Sequence, residues 1–191
     1  MRRHWPMFCA SLLAATALAL GGWLWMTTRA ADGVEVTWRD GDPTCTGTTT
    51  RSDERFGTVV AATSQMRCRY TIEISNDSDR GIHLVEIEAP GVGPETGSVV
   101  TVDPTTSPAP VPADDGLDAV YPLDQDLAPG ESTSVDIVVV FHPEGCNDGG
   151  TFWMREWPVL NFETLGSSFD RAPAETFAFH RNGSTPGCDD F

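Results

Sequence analysis

The chain has 191 residues, 28 of them acidic against 12 arginines and no lysine, for a formal net charge of −16 at pH 7. That balance excludes nucleic acid as a partner, because binding it rests on Lys and Arg neutralising phosphates. The positive charges are unevenly placed: Arg2, Arg3 and Arg29 bracket the one long apolar stretch, and the remaining nine face all 28 acids beyond it, giving the part from Asp32 onward a formal charge of −19.

Residues 1–4 read as a short cytoplasmic leader carrying two arginines. Residues 5–28 contain no charged side chain and exceed 20 residues, enough to cross roughly 30 Å of hydrocarbon as one helix. Trp5 near one end and Trp23 and Trp25 near the other suit the interfacial belt where indole rings collect. A cleaved signal would need a shorter core and a small-x-small site. The choice ending at Ala30 is acceptable, but the one ending at Ala31 puts Arg29 three positions back. The expectation is an uncleaved transmembrane signal-anchor, N-terminus inside, with the lipid bilayer as its partner; the alternative is a secreted form cut near residue 30. Residues 29–33 read as a short tether. Cys9 falls within the span and reads as a buried thiol.

Residues 34–191 are then extracytoplasmic, where thiols become oxidised. Cys45, Cys68, Cys146 and Cys188 form an even set, which predicts two disulfides. Four cysteines allow three connectivities, and the preferred one joins Cys45 to Cys68 and Cys146 to Cys188. No C-x-x-C pair supports a zinc site.

Along this part the apolar residues alternate with period two. "VEVTW" places Val34, Val36 and Trp38 on one face. "YTIEIS" and "IHLVEIEAP" read as two strands joined by the turn cluster "NDSDRG", as a hairpin. "GSVVTVD" is a weaker strand. Residues 103–116, with four prolines, read as a surface insertion within one domain. Pro129-Gly130 marks a turn before "STSVDIVVVFHP", whose Val135, Ile137, Val139 and Phe141 share a face. "WPVLNFETL" and "AETFAFHR" complete the set, with Phe177 and Phe179 inward. Six or seven short strands and no helix among them predict an all-β fold: an antiparallel immunoglobulin-like sandwich preceded by the N-terminal transmembrane helix.

The succession "CRYTIEISNDSDRGIHLVEIEAPG" followed by "LAPGESTSVDIVVVF" resembles the strand and turn grammar of bacterial envelope immunoglobulin-like domains, including those of uncharacterised membrane-anchored actinobacterial proteins. The resemblance implies fold and location and assigns no functional residue.

Chemistry-bearing motifs are absent. There is no G-x-S-x-G and no H-E-x-x-H, and His83, His142 and His180 read as surface or boundary histidines. No catalytic, cofactor or metal residue is assigned. Asp114, Asp115, Asp118, Asp124 and Asp126 supply oxygen ligands of the kind calcium takes, but their spacing is not that of an EF-hand, so a solvated acidic loop is the stronger reading. Of Phe152, Trp153 and Trp157, at least two are expected in the core. The sequons at Asn76 and Asn182 read as accidental. The functional expectation is a binding or scaffolding module for an unknown envelope protein or ligand. The alternative is an envelope enzyme or metal-handling domain, which histidine and carboxylate side chains converging in one pocket would favour.

Overall fold

The computed structural model describes residues 5–39, 43–146 and 150–181, with side chains from residue 15 onward. One helix, α1 (Trp5–Asp32), leads into fourteen strands. They are β1 (Val34–Trp38), β2 (Thr44–Thr46), β3 (Thr50–Asp53), β4 (Gly57–Ala61), β5 (Arg67–Asn76), β6 (Ile82–Ala89) and β7 (Val100–Val102), then β8 (Val111–Pro112), β9 (Ala119–Leu127), β10 (Ser132–Phe141), β11 (Gly150–Met154), β12 (Val159–Thr164), β13 (Ser167–Arg171) and β14 (Phe177–Arg181). The all-β body behind one N-terminal helix agrees with the sequence pattern.

The strands form three sheets. The first runs β1-β5-β10-β7, with β2 also on β5; the second runs β13-β12-β6-β9-β8; the third runs β11-β14-β4-β3. Every pairing is antiparallel except β14 with β4. Period-two alternation decides which side chains turn inward. On β5, Cys68, Tyr70, Ile72 and Ile74 are buried, and on the second sheet Leu84, Ile87, Tyr121, Leu160 and Phe162 are buried against them in one core. Each such side chain stabilises the fold by about 1.5–3 kcal/mol through area removed from water. The third sheet adds Phe177 and Phe179. Phe177 packs on Trp38, Tyr70 and Trp157 with ring centroids 5.0, 4.5 and 5.2 Å away, so one aromatic cluster joins the first and third sheets.

The expected hairpin between β5 and β6 is not formed. β5 is already flanked by β1 and β10, so β6 pairs with β9 and β12 in the other sheet. "NDSDRG" is therefore a crossover between sheets. Asn76, fully buried, holds it: its Nδ2 donates to the carbonyls of Arg80 and Leu127 at 2.8 and 3.0 Å, and its Oδ1 accepts from the Ser78 hydroxyl at 2.7 Å. A buried asparagine is no glycan acceptor, which agrees with reading its sequon as accidental.

Residues 103–116 are more than a surface insertion, because they give the second sheet its edge strand β8 and bury Asp103. The tether at 29–33 is also absent: the helix continues to Asp32, and β1 begins at Val34. Thr27, Ala30 and Ala31, spaced one helical turn apart, are buried, and Ala31 belongs to the core. Gly33 makes the turn at close quarters; a Cβ there would meet the Cβ of Ser78 at 2.7 Å.

The expected span 5–28 is helical. Among the described residues, however, no helix is long and apolar enough to cross a membrane. The part with described side chains includes Arg29, Asp32, two glycines and Thr27-Thr28, which dilute its apolar character.

Candidate functional site

The five aspartates weighed for calcium are separated by the fold. Asp114, Asp115 and Asp118 lie around the β8–β9 turn, where Asp118 accepts from the Gly91 N–H at 2.6 Å and Asp115 from the Leu117 N–H at 3.0 Å. Asp124 and Asp126 lie on β9 itself. From Asp118 to Asp126 the strand rises about 26 Å, too far for one ion. Among the described residues, no three His, Cys, Asp or Glu side chains form a group that could hold a metal ion.

Asp124 and Asp126 meet His83 instead. Register places His83 opposite Asp126 on β9 and opposite Glu163 on β12. The His83 Nδ1 lies 2.9 Å from Asp126 Oδ1, and its Nε2 lies 3.6 Å from Asp124 Oδ1. A carboxylate only accepts, so Nδ1 carries the proton. The hydrogen bond to Asp126 raises the imidazole pKa above its ordinary value; burial opposes it, and the charges of Asp126, Asp124 and Glu163 add to the rise.

This row borders a cleft of about 480 Å³ between the β9–β10 turn and the β12–β13 hairpin, with Ile82, Leu127, Pro129 and Leu165 as its apolar lining and His83, Asp126 and Glu163 as its charged lining. Histidine and carboxylates thus converge in one cleft. A nucleophile does not join them: the Thr164 hydroxyl in the same lining donates to the Gly81 carbonyl at 3.2 Å.

His142 and His180 stay apart from this row. His142 Nδ1 faces the Ser98 carbonyl at 3.1 Å beside a smaller cavity of about 280 Å³ walled by Pro94, Pro104, Pro110 and Pro112. His180 Nδ1 lies 3.1 Å from the Thr151 hydroxyl.

Cys45 and Cys68 form a disulfide across the β2–β5 pair, where they are register partners. Cys146 is disulfide-bonded too. Its expected partner, Cys188, lies outside the described residues, as do the side chain of Cys9 and the sequon at Asn182.

Of the three aromatics, Trp157 is buried in the core, whereas Phe152 is only partly buried and packs against the core, so one of the three and not the expected two is a core residue. Trp153 is on the outer side, edge-on to Phe56 with centroids 5.5 Å apart and with the Arg155 guanidinium 4.3 Å above its ring.

Sequence reading missed the cross-strand row. The signal was available in "IHLVEIE" and "LDQDL", whose charged residues alternate in step, but only pairing of the two segments reveals it.

No family model matches the chain, and no curated protein matches it. Among solved structures it is similar to an X-ray structure of a Northeast Structural Genomics Consortium target, with a TM-score of 0.36, 11% identity, and coverage of 84% of this chain and 92% of that one. It is also similar to an inactive mutant of a GH20 exo-β-N-acetylglucosaminidase from Vibrio harveyi, with a TM-score of 0.32 and 9% identity over 78% of this chain and 17% of that one. At these TM-scores neither likeness assigns a fold or an activity.

Proposed function

We propose that the chain is a membrane-anchored extracytoplasmic binding module, with α1 in the bilayer and an immunoglobulin-like sandwich outside it. The observation that carries this reading is the contrast along α1. Leu18, Leu20, Trp23, Leu24, Trp25 and Met26 are all exposed. At about 100° per residue they point all round the axis. A helix apolar all round needs an apolar surrounding on every side. About one and a half turns further on, the same helix joins the sandwich core through Ala31.

Two further observations support the reading. The Cys45–Cys68 bond suits an oxidising compartment. Cleavage after Ala30 or Ala31 would remove buried residues that the sandwich packs against, which favours retention of the helix. The second disulfide is Cys146–Cys188 in this reading. An envelope protein or ligand is the partner, met on the outer face of the second sheet, where carboxylates lie without arginines.

The test is extraction of the full chain from native membranes with alkaline carbonate, together with its intact mass. Retention in the membrane at the uncleaved mass supports the module; release, or a mass starting near Ala31, overturns it.

A second reading rests on the His83–Asp126 pair, an imidazole oriented by a carboxylate as a general base would be. It predicts a water-activating hydrolase that Asp126→Asn slows at least tenfold on an ester or glycoside panel. Inactivity of the wild-type chain on such a panel rejects it.

A further inference from the structure

Strand β3 ends the third sheet, with β4 on one side of it. Among the described residues, no strand pairs with its other side. A free edge is a template for another strand, and natural sheets block it with proline, a bulge or charge. The sequence of β3, "TRSD", has no proline, and its pairing with β4 runs without a bulge. Its defence is the charge of Arg51.

The ladder to β4 decides which groups the edge offers. The Ala61 N–H donates to the Thr49 carbonyl at 3.0 Å, and from there the register continues with Thr50 opposite Val60, Arg51 opposite Val59, Ser52 opposite Thr58 and Asp53 opposite Gly57. Antiparallel partners exchange their bonds at every second pair. Thr49, Arg51 and Asp53 therefore bond to β4, whereas Thr50 and Ser52 turn their N–H and C=O groups outward. Thr50, Arg51 and Ser52 are exposed.

Charge then selects the strand that fits. Arg51 forms no ion pair among the described residues. Asp53 accepts the Arg55 and Phe56 N–H groups at 2.9 and 3.3 Å with Oδ1, and no ion pair occupies its Oδ2. Two residues apart on a strand, Arg51 and Asp53 share a face.

A second copy of β3 laid antiparallel on the first has four ways to centre on a residue of the strand. Centring on Arg51 sets arginine against arginine, and centring on Asp53 sets aspartate against aspartate, both unfavourable. Centring on Thr50 leaves Arg51 opposite Thr49. Centring on Ser52 sets Arg51 opposite Asp53 twice, at the non-hydrogen-bonded positions where side chains approach most closely, while the two Ser52 residues exchange N–H···O bonds.

We propose that β3 is a self-association edge, through which two copies of this chain join about a two-fold axis centred on Ser52, making one continuous sheet from two four-stranded ones. This pairing does not depend on α1 being embedded.

The experiment uses the full chain in detergent with micelles in excess. The chain should sediment as a concentration-dependent dimer, weakened about tenfold by Arg51→Glu and less by Asp53→Asn, which removes the charge but keeps an oxygen for the turn. Facing Ser52 residues have Cα atoms about 5.5 Å apart, within disulfide reach. Oxidation of Ser52→Cys should accordingly give more reducible covalent dimer than the wild type with its native cysteines. Thr50→Cys should give no more than the wild type, since the two copies of that residue lie about 14 Å apart along the strands. A chain that stays monomeric up to about 1 mM overturns the proposal. So does a dimer that Arg51→Glu leaves unchanged, or cross-linking through Ser52→Cys no greater than through Thr50→Cys.

Discussion

The first and second sheets have contrasting outer faces. On the first, acids find arginines: Arg39 reaches Glu73 at 3.5 Å, Arg69 reaches Asp136 at 2.7 Å, and Arg67 pairs with Asp103. On the second, Glu86, Glu88, Asp124, Asp126, Glu163 and Asp170 form no ion pair with an arginine among the described residues, and the basic side chain beside them is His83. The disulfide Cys45–Cys68 is also on the first sheet. Among the described residues, these acids of the first sheet are thus paired with arginines while those of the second are not. Uncompensated charge costs stability through self-repulsion, and it steers cationic partners.

Substitutions should separate the two faces. The largest effect is expected at the knot between them: Asn76→Ala removes four side-chain hydrogen bonds at the crossover, two donated and two accepted, and should cost about 3–4 kcal/mol in denaturant unfolding. A loss below about 1 kcal/mol would mean that the sheets are held together elsewhere. Removing the staple with Cys45→Ser and Cys68→Ser should cost about 3 kcal/mol by the same measurement.

Asp103→Asn should follow at about 2 kcal/mol. Burial opposes the charge of Asp103, but the Thr105 hydroxyl and N–H and the Arg67 guanidinium outweigh it and hold the carboxyl below the usual carboxylate range. A lowered folded-state pKa contributes stability above the unfolded value and loses it as pH falls through the folded one. The wild-type advantage over Asp103→Asn should accordingly shrink in acid.

On the second sheet the sign reverses. Burial, and then the charges of Asp118, Glu86 and Asp115, push the Glu88 carboxyl above its ordinary value. Its ionisation weakens the fold as pH rises, so Glu88→Gln should raise the melting temperature at neutral pH; a lowered one would mean that these carboxylates are compensated after all. The smallest effect concerns His83. Its raised folded-state pKa gives a contribution present in full below about 6.5 and lost as pH rises through the folded value. The melting temperature should decline slightly over that window in the wild type and not in His83→Gln.

Much of the fold was legible where alternation was strong. β1, β5, β10 and β14 were read within a few residues of their bounds, with Trp38, Ile137, Phe177 and Phe179 inward as expected. Pairing was less legible. Alternation says which side of a strand is buried and nothing about its neighbour, so β5 and β6, adjacent in sequence, were joined although they belong to opposite sheets. The third sheet was half missed because β3, "TRSD", has no apolar residue and β4, "GTVVA", is buried on both faces at Val59 and Val60. β9 was taken for a loop because its aspartates hid Tyr121, the one large core residue between them and the β8–β9 turn. The candidate site depended on that strand, which is why Asp124 and Asp126 were grouped with the loop aspartates and not with His83.

The junction at Gly33 has a mechanical consequence. A flexible hinge would let the helix swivel against the body. Here α1 runs to Asp32, β1 starts at Val34 and Ala31 sits in the core, so a rotation of the last helical turn is passed directly to the first strand.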